Sequence, residues 1–212
     1  NGEIIYRSLS QSLPSSDRAF GLVWATVCIN DEVFFGSNEK LFWYKNAELK
    51  AFAPTGEAFH TFFKVGKHFF VREKAVGFKV FADGGLKTIN GSENFASQRV
   101  DFILPFKDSI YWVGARNDGM YHLLYNAEDP QESVFSKIKT PVDEWIKENE
   151  LYCGTKINEN IYALGSLKGG VLLTDENLKP IEKIIYEKGL LDNGVKNIFV
   201  DWSFLGLALQ LL

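Results

Sequence analysis

The chain has 212 residues, enough for one large all-β domain or two small ones. A net charge of -4 with no basic stripe argues against a nucleic-acid surface, and no apolar run approaches the roughly 20 residues of a membrane span. Aromatics reach 15%, with 18 Phe among them, and 18 Gly stand against 6 Pro. That mixture suits pleated, half-buried strands joined by tight turns.

In chain order, Asn1 to Tyr6 read as part of a strand and not as a signal peptide, so a segment upstream is expected to have been removed. Cys28 and Cys153 stand too far apart for a disulfide framework or a zinc site and are expected to be buried free thiols. The central feature is a weak repeat. Phe34-Phe35-Gly36-Ser37 matches Trp112-Val113-Gly114-Ala115 and Ala163-Leu164-Gly165-Ser166. Phe69-Phe70-Val71-Arg72 and Gly206-Leu207-Ala208-Leu209 fill the same slot. The anchors at 36, 71, 114, 165 and 208 are spaced by 35, 43, 51 and 43 residues. Five or six residues after three of them comes glycine and an apolar residue: Gly77-Phe78, Gly119-Met120 and Gly170-Val171.

Each unit divides into four short strands. The third reads Val100 to Phe106, Ser109 to Ala115, Gly119 to Tyr125 and Glu132 to Ile138, with turn chemistry at Lys107-Asp108 and Asn117-Asp118-Gly119. The fourth reads Leu151 to Ile157, Asn160 to Ser166, Gly170 to Thr174 and Pro180 to Tyr186. Four strands in this length is the size of a propeller blade. The expected fold is therefore all-β: a β-propeller segment of four-stranded antiparallel blades, about four complete and others partial, from a larger ring. The approximate units are 1–22 (outer strand and link), 23–58, 59–99, 100–150, 151–194 and a partial 195–212. A β-sandwich with accidental strand similarity is the competing architecture. Glu3-Ile4-Ile5-Tyr6 resembles Lys183-Ile184-Ile185-Tyr186, an outermost strand, and the native chain is expected to continue beyond the last anchor. Thr140-Pro141 followed by Asp143 and Glu144 predicts a short helix between the third and fourth units, with Thr140 as cap and Pro141 in its first turn.

The stretch from Ala163 to Asp201 carries a family resemblance. It contains Leu164-Gly165-Ser166, Gly169-Gly170-Val171-Leu172, Gly189-Leu190-Leu191-Asp192-Asn193-Gly194-Val195 and Ile198-Phe199-Val200-Asp201. This resembles the two-component-regulator propeller repeat. It departs after Asp201, where Trp202-Ser203-Phe204-Leu205 replaces the family's usual Gly-Asn-Leu-Trp. The resemblance implies the periplasmic part of a membrane-anchored sensor, with a histidine kinase or DNA-binding output domain beyond it. It also implies an oligosaccharide ligand and a homodimer in the full-length protein.

Among the side chains themselves no nucleophile elbow or phosphate loop occurs, and His60, His68 and His122 lack metal-ligand spacing. No catalysis, cofactor or metal is expected of this segment, and no membrane span. Ligand contacts are expected from the loops between second and third strands, which share a face with the links between blades. These place Arg72, Lys74, Arg116, Asn117, Asp118 and Lys168 on that face. Arg72 and Arg116 fall near equivalent positions and would fork a uronate or sulfate. Trp24 and Trp112 are candidates to stack on sugar rings, with packing between blades as the other reading. Two rivals remain: a protein-interaction propeller without a small ligand, and a carbohydrate-active propeller using Glu39, Glu73 or Asp118.

Overall fold

The computed structural model describes residues 8–201 and 206–209. The expected outer strand over Glu3–Tyr6, and residues 202–205, lie outside the described residues. The strands form four antiparallel four-stranded sheets and one two-stranded sheet. The first blade comprises β1 (Ala25–Ile29), β2 (Glu32–Gly36), β3 (Leu41–Lys45) and β4 (Glu48–Phe52). The second comprises β5 (Phe59–Val65), β6 (His68–Glu73), β7 (Gly77–Ala82) and β8 (Gly85–Thr88). The third comprises β9 (Val100–Lys107), β10 (Ile110–Ala115), β11 (Gly119–Leu124) and β12 (Val134–Lys137). The fourth comprises β13 (Leu151–Asn158), β14 (Ile161–Ser166), β15 (Val171–Asp175) and β16 (Pro180–Ile184). β17 (Ile198–Asp201) pairs with β18 (Gly206–Leu209). Every blade is a simple up-and-down meander, and the first strands of successive blades adjoin one another. The architecture is a β-propeller segment, as the repeat implies.

The core lies between blades. Phe34, Leu41, Phe69 and Val71 fill the joint of the first two. Phe70, Phe78, Val113 and Tyr121 fill the next, and Phe102, Trp112, Tyr162 and Leu172 the third. The repeated glycine has its reason here. A Cβ on Gly36 would stand 2.2 Å from the Phe62 ring of the following blade, and one on Gly114 would stand 2.7 Å from Leu151 Cδ2 of its following blade. Only a bare backbone lets the next sheet approach so closely.

Pairing corrects the register of the second blade by one residue. Gly36, Gly114 and Gly165 pair with Leu41, Met120 and Val171 of their third strands. The corresponding pair is Arg72 with Phe78, so Arg72 and not Val71 occupies the glycine slot.

The helix between the third and fourth blades is α1 (Asp143–Asn149). It starts later than its cap signal suggests. Thr140 turns its amide and hydroxyl toward the Asp143 carboxylate, at 2.9 and 2.5 Å, so Thr140 to Val142 form a turn ahead of the helix. Trp145 and Ile146 bury its inner face against the third joint. Both cysteines are free thiols, but Cys28 is exposed. Val27 points into the first joint, so its neighbours on β1 face the other way. Cys153 is half-buried, and burial pushes its thiol up to about 12. Among the described residues no helix is long and apolar enough to cross a membrane.

Candidate functional site

The first strands of the second, third and fourth blades begin with a common irregularity. In β5 the pairing with β6 skips His60, in β9 the pairing with β10 skips Asp101, and in β13 the pairing with β14 skips Tyr152. Each skipped residue is a β-bulge, which turns a side chain out of the regular alternation. Each follows a fully buried apolar residue: Phe59, Val100 and Leu151. In the first blade Trp24 holds the matching position, directly before Ala25, the partner of Gly36. One residue per blade thus lines the inner edge: Trp24, His60, Asp101 and Tyr152.

Cations gather around this row. The Asp101 side chain is only 1% exposed and binds two arginines. Its Oδ1 accepts from Arg99 Nε at 2.8 Å and Arg116 Nη2 at 2.9 Å, and its Oδ2 from Arg116 Nε at 3.2 Å. Arg116 Nε also reaches the Leu151 carbonyl at 3.1 Å. Both guanidiniums lie over the Tyr152 ring, at 4.5 Å for Arg116 and 5.0 Å for Arg99. Burial pushes the Asp101 carboxyl up, partly offset by the two arginines. His60 is lowered to about 4, first by burial and then by the charges of Arg72, Arg99, Lys74 and Arg116. Its Nδ1 is buried and has no hydrogen-bond partner among the described residues.

The sequence-predicted residues separate into three groups. Arg116 joins the rim directly, and Lys74, exposed just past β6, adds to the field on His60. Arg72 is 2% exposed and donates to the Phe95 carbonyl at 2.8 Å and the Ala96 carbonyl at 2.9 Å. It stands inside a strand, whereas Arg116 follows one, so the two are not equivalent. The true counterpart of Arg116 is Lys74: their amides donate at 2.9 Å to Arg99 and Ala58, each just ahead of a first strand. Asp118 is held by Tyr121 and by Lys137 at 2.6 Å, Lys168 pairs with Glu150, and Asn117 is exposed in its turn. Asp118 ionises below the usual carboxylate range, since those two hydrogen bonds outweigh its partial burial.

The other carboxylates considered stand apart from one another. Glu73 is buried beneath Thr55, Gly56 and Lys79, while Glu39 accepts from the Gly21 amide at 3.1 Å. Trp112 is buried against Phe106 and His122, and Trp24 stays 44% exposed with its indole N–H on Asn38 at 2.8 Å. His60, Arg99, Asp101 and Tyr152 escaped the sequence reading. Their only signal is that Trp24, His60, Asp101 and Tyr152 recur at nearly the spacing of the glycine slots, which becomes visible once the pairing is known.

Fold and rim together define a β-propeller with an aromatic, cationic inner edge. The fold is similar to the extracellular domain of a protein assigned to a hybrid two-component system of B. thetaiotaomicron, with a TM-score of 0.70 and 11% identity over 93% of this chain and 29% of that one. The extracellular domain assigned to a one-component system of the same organism gives 0.59 and 15%, over 87% and 25%. The Cps50 (Swd1) β-propeller domain of Myceliophteria thermophila gives 0.59 and 10%, over 89% and 62%. The chain thus spans less than a third of either B. thetaiotaomicron domain. At these identities the likeness is one of fold. No protein-family model and no curated protein sequence matches the chain.

Proposed function

We propose that this chain belongs to the extracytoplasmic, periplasmic sensing region of a two-component signal-transduction protein. In this reading it binds an oligosaccharide and passes the signal to a kinase or DNA-binding output domain, as a homodimer and without catalysis of its own. The observation that carries the reading is the row Trp24, His60, Asp101 and Tyr152, one side chain per blade, with Arg99 and Arg116 alongside. Aromatic faces next to hydrogen-bonding groups suit a ligand with apolar C–H faces and many hydroxyls. The motif between Gly169 and Asp201 supports the sensor assignment, as does the similarity of fold to extracellular domains assigned to one- and two-component systems. Support for a non-catalytic role comes from Glu39, Glu73 and Asp118, each engaged within its own surroundings.

The test is a thermal-shift screen against acidic and neutral oligosaccharides. A ligand that binds only the folded state raises the melting temperature by mass action. A specific rise that Tyr152→Ala or Trp24→Ala abolishes would support the proposal. A flat response to a broad panel would remove it.

A further inference from the structure

Resting on the reading of the inner rim as the ligand face, we propose that Arg99 and Arg116 form a site for an oxyanion, a carboxylate or sulfate group, with Asp101 as the residue that positions both guanidiniums. Three observations carry this. The first is which nitrogens are used. Asp101 and the Leu151 carbonyl occupy Nε of Arg99, and Nε and Nη2 of Arg116. Among the described residues, both terminal nitrogens of Arg99 and the Nη1 of Arg116 donate to nothing. Each guanidinium is therefore fixed along one edge and open along another. A guanidinium fork matches carboxylate and sulfate geometry, and one that is already fixed loses little freedom on binding.

The second observation is the charge balance. Arg72, Arg99, Lys74 and Arg116 all act on His60, and Asp101 is the carboxylate bound among them, while Glu150, which also feels Arg116, is paired with Lys168. The surplus positive charge surrounds His60, whose buried Nδ1 has no partner among the described residues. An arriving anion would offset that field. The third is access. The Arg99 side chain is 34% exposed and that of Arg116 15%, whereas Asp101 beneath them is sealed at 1%. The positioning group is sealed inside, and both arginine side chains reach solvent. Tyr152 under both guanidiniums gives the site an aromatic floor.

The anion would be either part of a saccharide, as a uronate or sulfate ester, or a free small ion, and titration calorimetry on the whole chain at fixed ionic strength separates these. The probes are sodium sulfate, sodium glucuronate, a glucuronate-containing trisaccharide and its neutral counterpart. The anionic probes should saturate and compete with one another. Arg99→Gln should weaken them by about tenfold, and Arg99→Lys nearly as much, because the fork and not only the charge is lost. Lys183→Gln, at an exposed position on β16, should change nothing. In the wild type, the NMR titration midpoint of the His60 ring should move up when sulfate is bound, a readout that needs no variant. Tighter binding of the acidic trisaccharide than of free glucuronate assigns the anion to a saccharide, and equal binding assigns it to a free ion. If the neutral trisaccharide binds as well as the acidic one, or Arg99→Gln leaves anion affinity intact, the oxyanion site is refuted while the oligosaccharide reading stands. If no probe binds, the oxyanion site is refuted, and the oligosaccharide reading is decided by the broader thermal-shift panel.

Discussion

Phe102 and Gly154 meet across the joint of the third and fourth blades: a Cβ on Gly154 would stand 2.5 Å from Phe102 Cδ1. The same ring closes over Gly114 from within its own blade. Phe102 is 4% exposed and held between the two glycines. Gly154→Ala should therefore force the two blades apart. The expected loss is about 1–3 kcal/mol, the usual range for an overpacked core, read as a lower urea midpoint at unchanged slope. Gly84→Ser is the contrast. No atom lies near its would-be Cβ, so only the positive φ of its turn opposes the change.

Glu73 and Lys79 form a buried ion pair at 2.6 Å, with side chains 0% and 5% exposed. Thr55 and Gly56 amides close over Glu73, and Lys79 donates to the Thr55 hydroxyl at 2.6 Å. Lys79→Met leaves a buried carboxylate without its cation, which costs about 3–5 kcal/mol. The double variant Glu73→Gln with Lys79→Met should recover part of that loss. Chemical denaturation of the wild type and the two variants checks both statements, and equal stability of single and double variants would contradict the pairing.

Arg72 binds two backbone carbonyls at the entry to the third blade, so its removal should appear as instability. Arg72→Met orphans the Phe95 carbonyl, leaves that of Ala96 with the Ala75 amide alone, and should cost about 1–3 kcal/mol. Affinity for any rim ligand should change far less than with Arg99→Gln. A variant with native stability and lost binding would return Arg72 to the ligand face.

The histidines set an acid limit. His60, His68 and His122 all ionise below the usual imidazole value of 6.5, chiefly through burial, with His60 lowered to about 4. Their unfolded forms bind protons that the folded forms refuse, so stability rises with pH across this window and falls as pH drops from about 6.5 toward 4. Asp101, raised by burial, has the opposite sign and acts nearer the carboxylate range. His60→Gln should flatten the dependence, and its melting temperature at pH 5 should move closer to its value at pH 7 than in the wild type. An unchanged slope would mean that His60 is accessible and titrates normally.

Much of the blade architecture is legible in the sequence. Glycine slots such as Gly36, Gly114 and Gly165 report close approach between sheets, and turn residues such as Asp83-Gly84 and Asn117-Asp118-Gly119 mark strand ends. Both signals are local, and strand alternation follows from them. Arg116 and Lys74 were identifiable for the same reason, since a loop between second and third strands lies at a fixed place in every blade. The inner rim was not legible, and the reason is register. A bulge of one residue at His60, Asp101 and Tyr152 reverses which side chains face outward, and nothing local in the sequence marks it. The fate of Arg72 was equally a tertiary matter. By type it belongs to a ligand-facing loop, but a one-residue shift places it inside a strand, where the carbonyls of Phe95 and Ala96 from the following link claim it. The sequence by itself determined the number and kind of strands and their grouping into blades. The packing of strands and of one blade on the next decided which charges are buried, which are paired and which nitrogens stay open, because those depend on neighbours from other segments, 15 residues away for Arg116 and Asp101, 23 for Arg72 and Phe95 and 35 for Arg116 and Leu151.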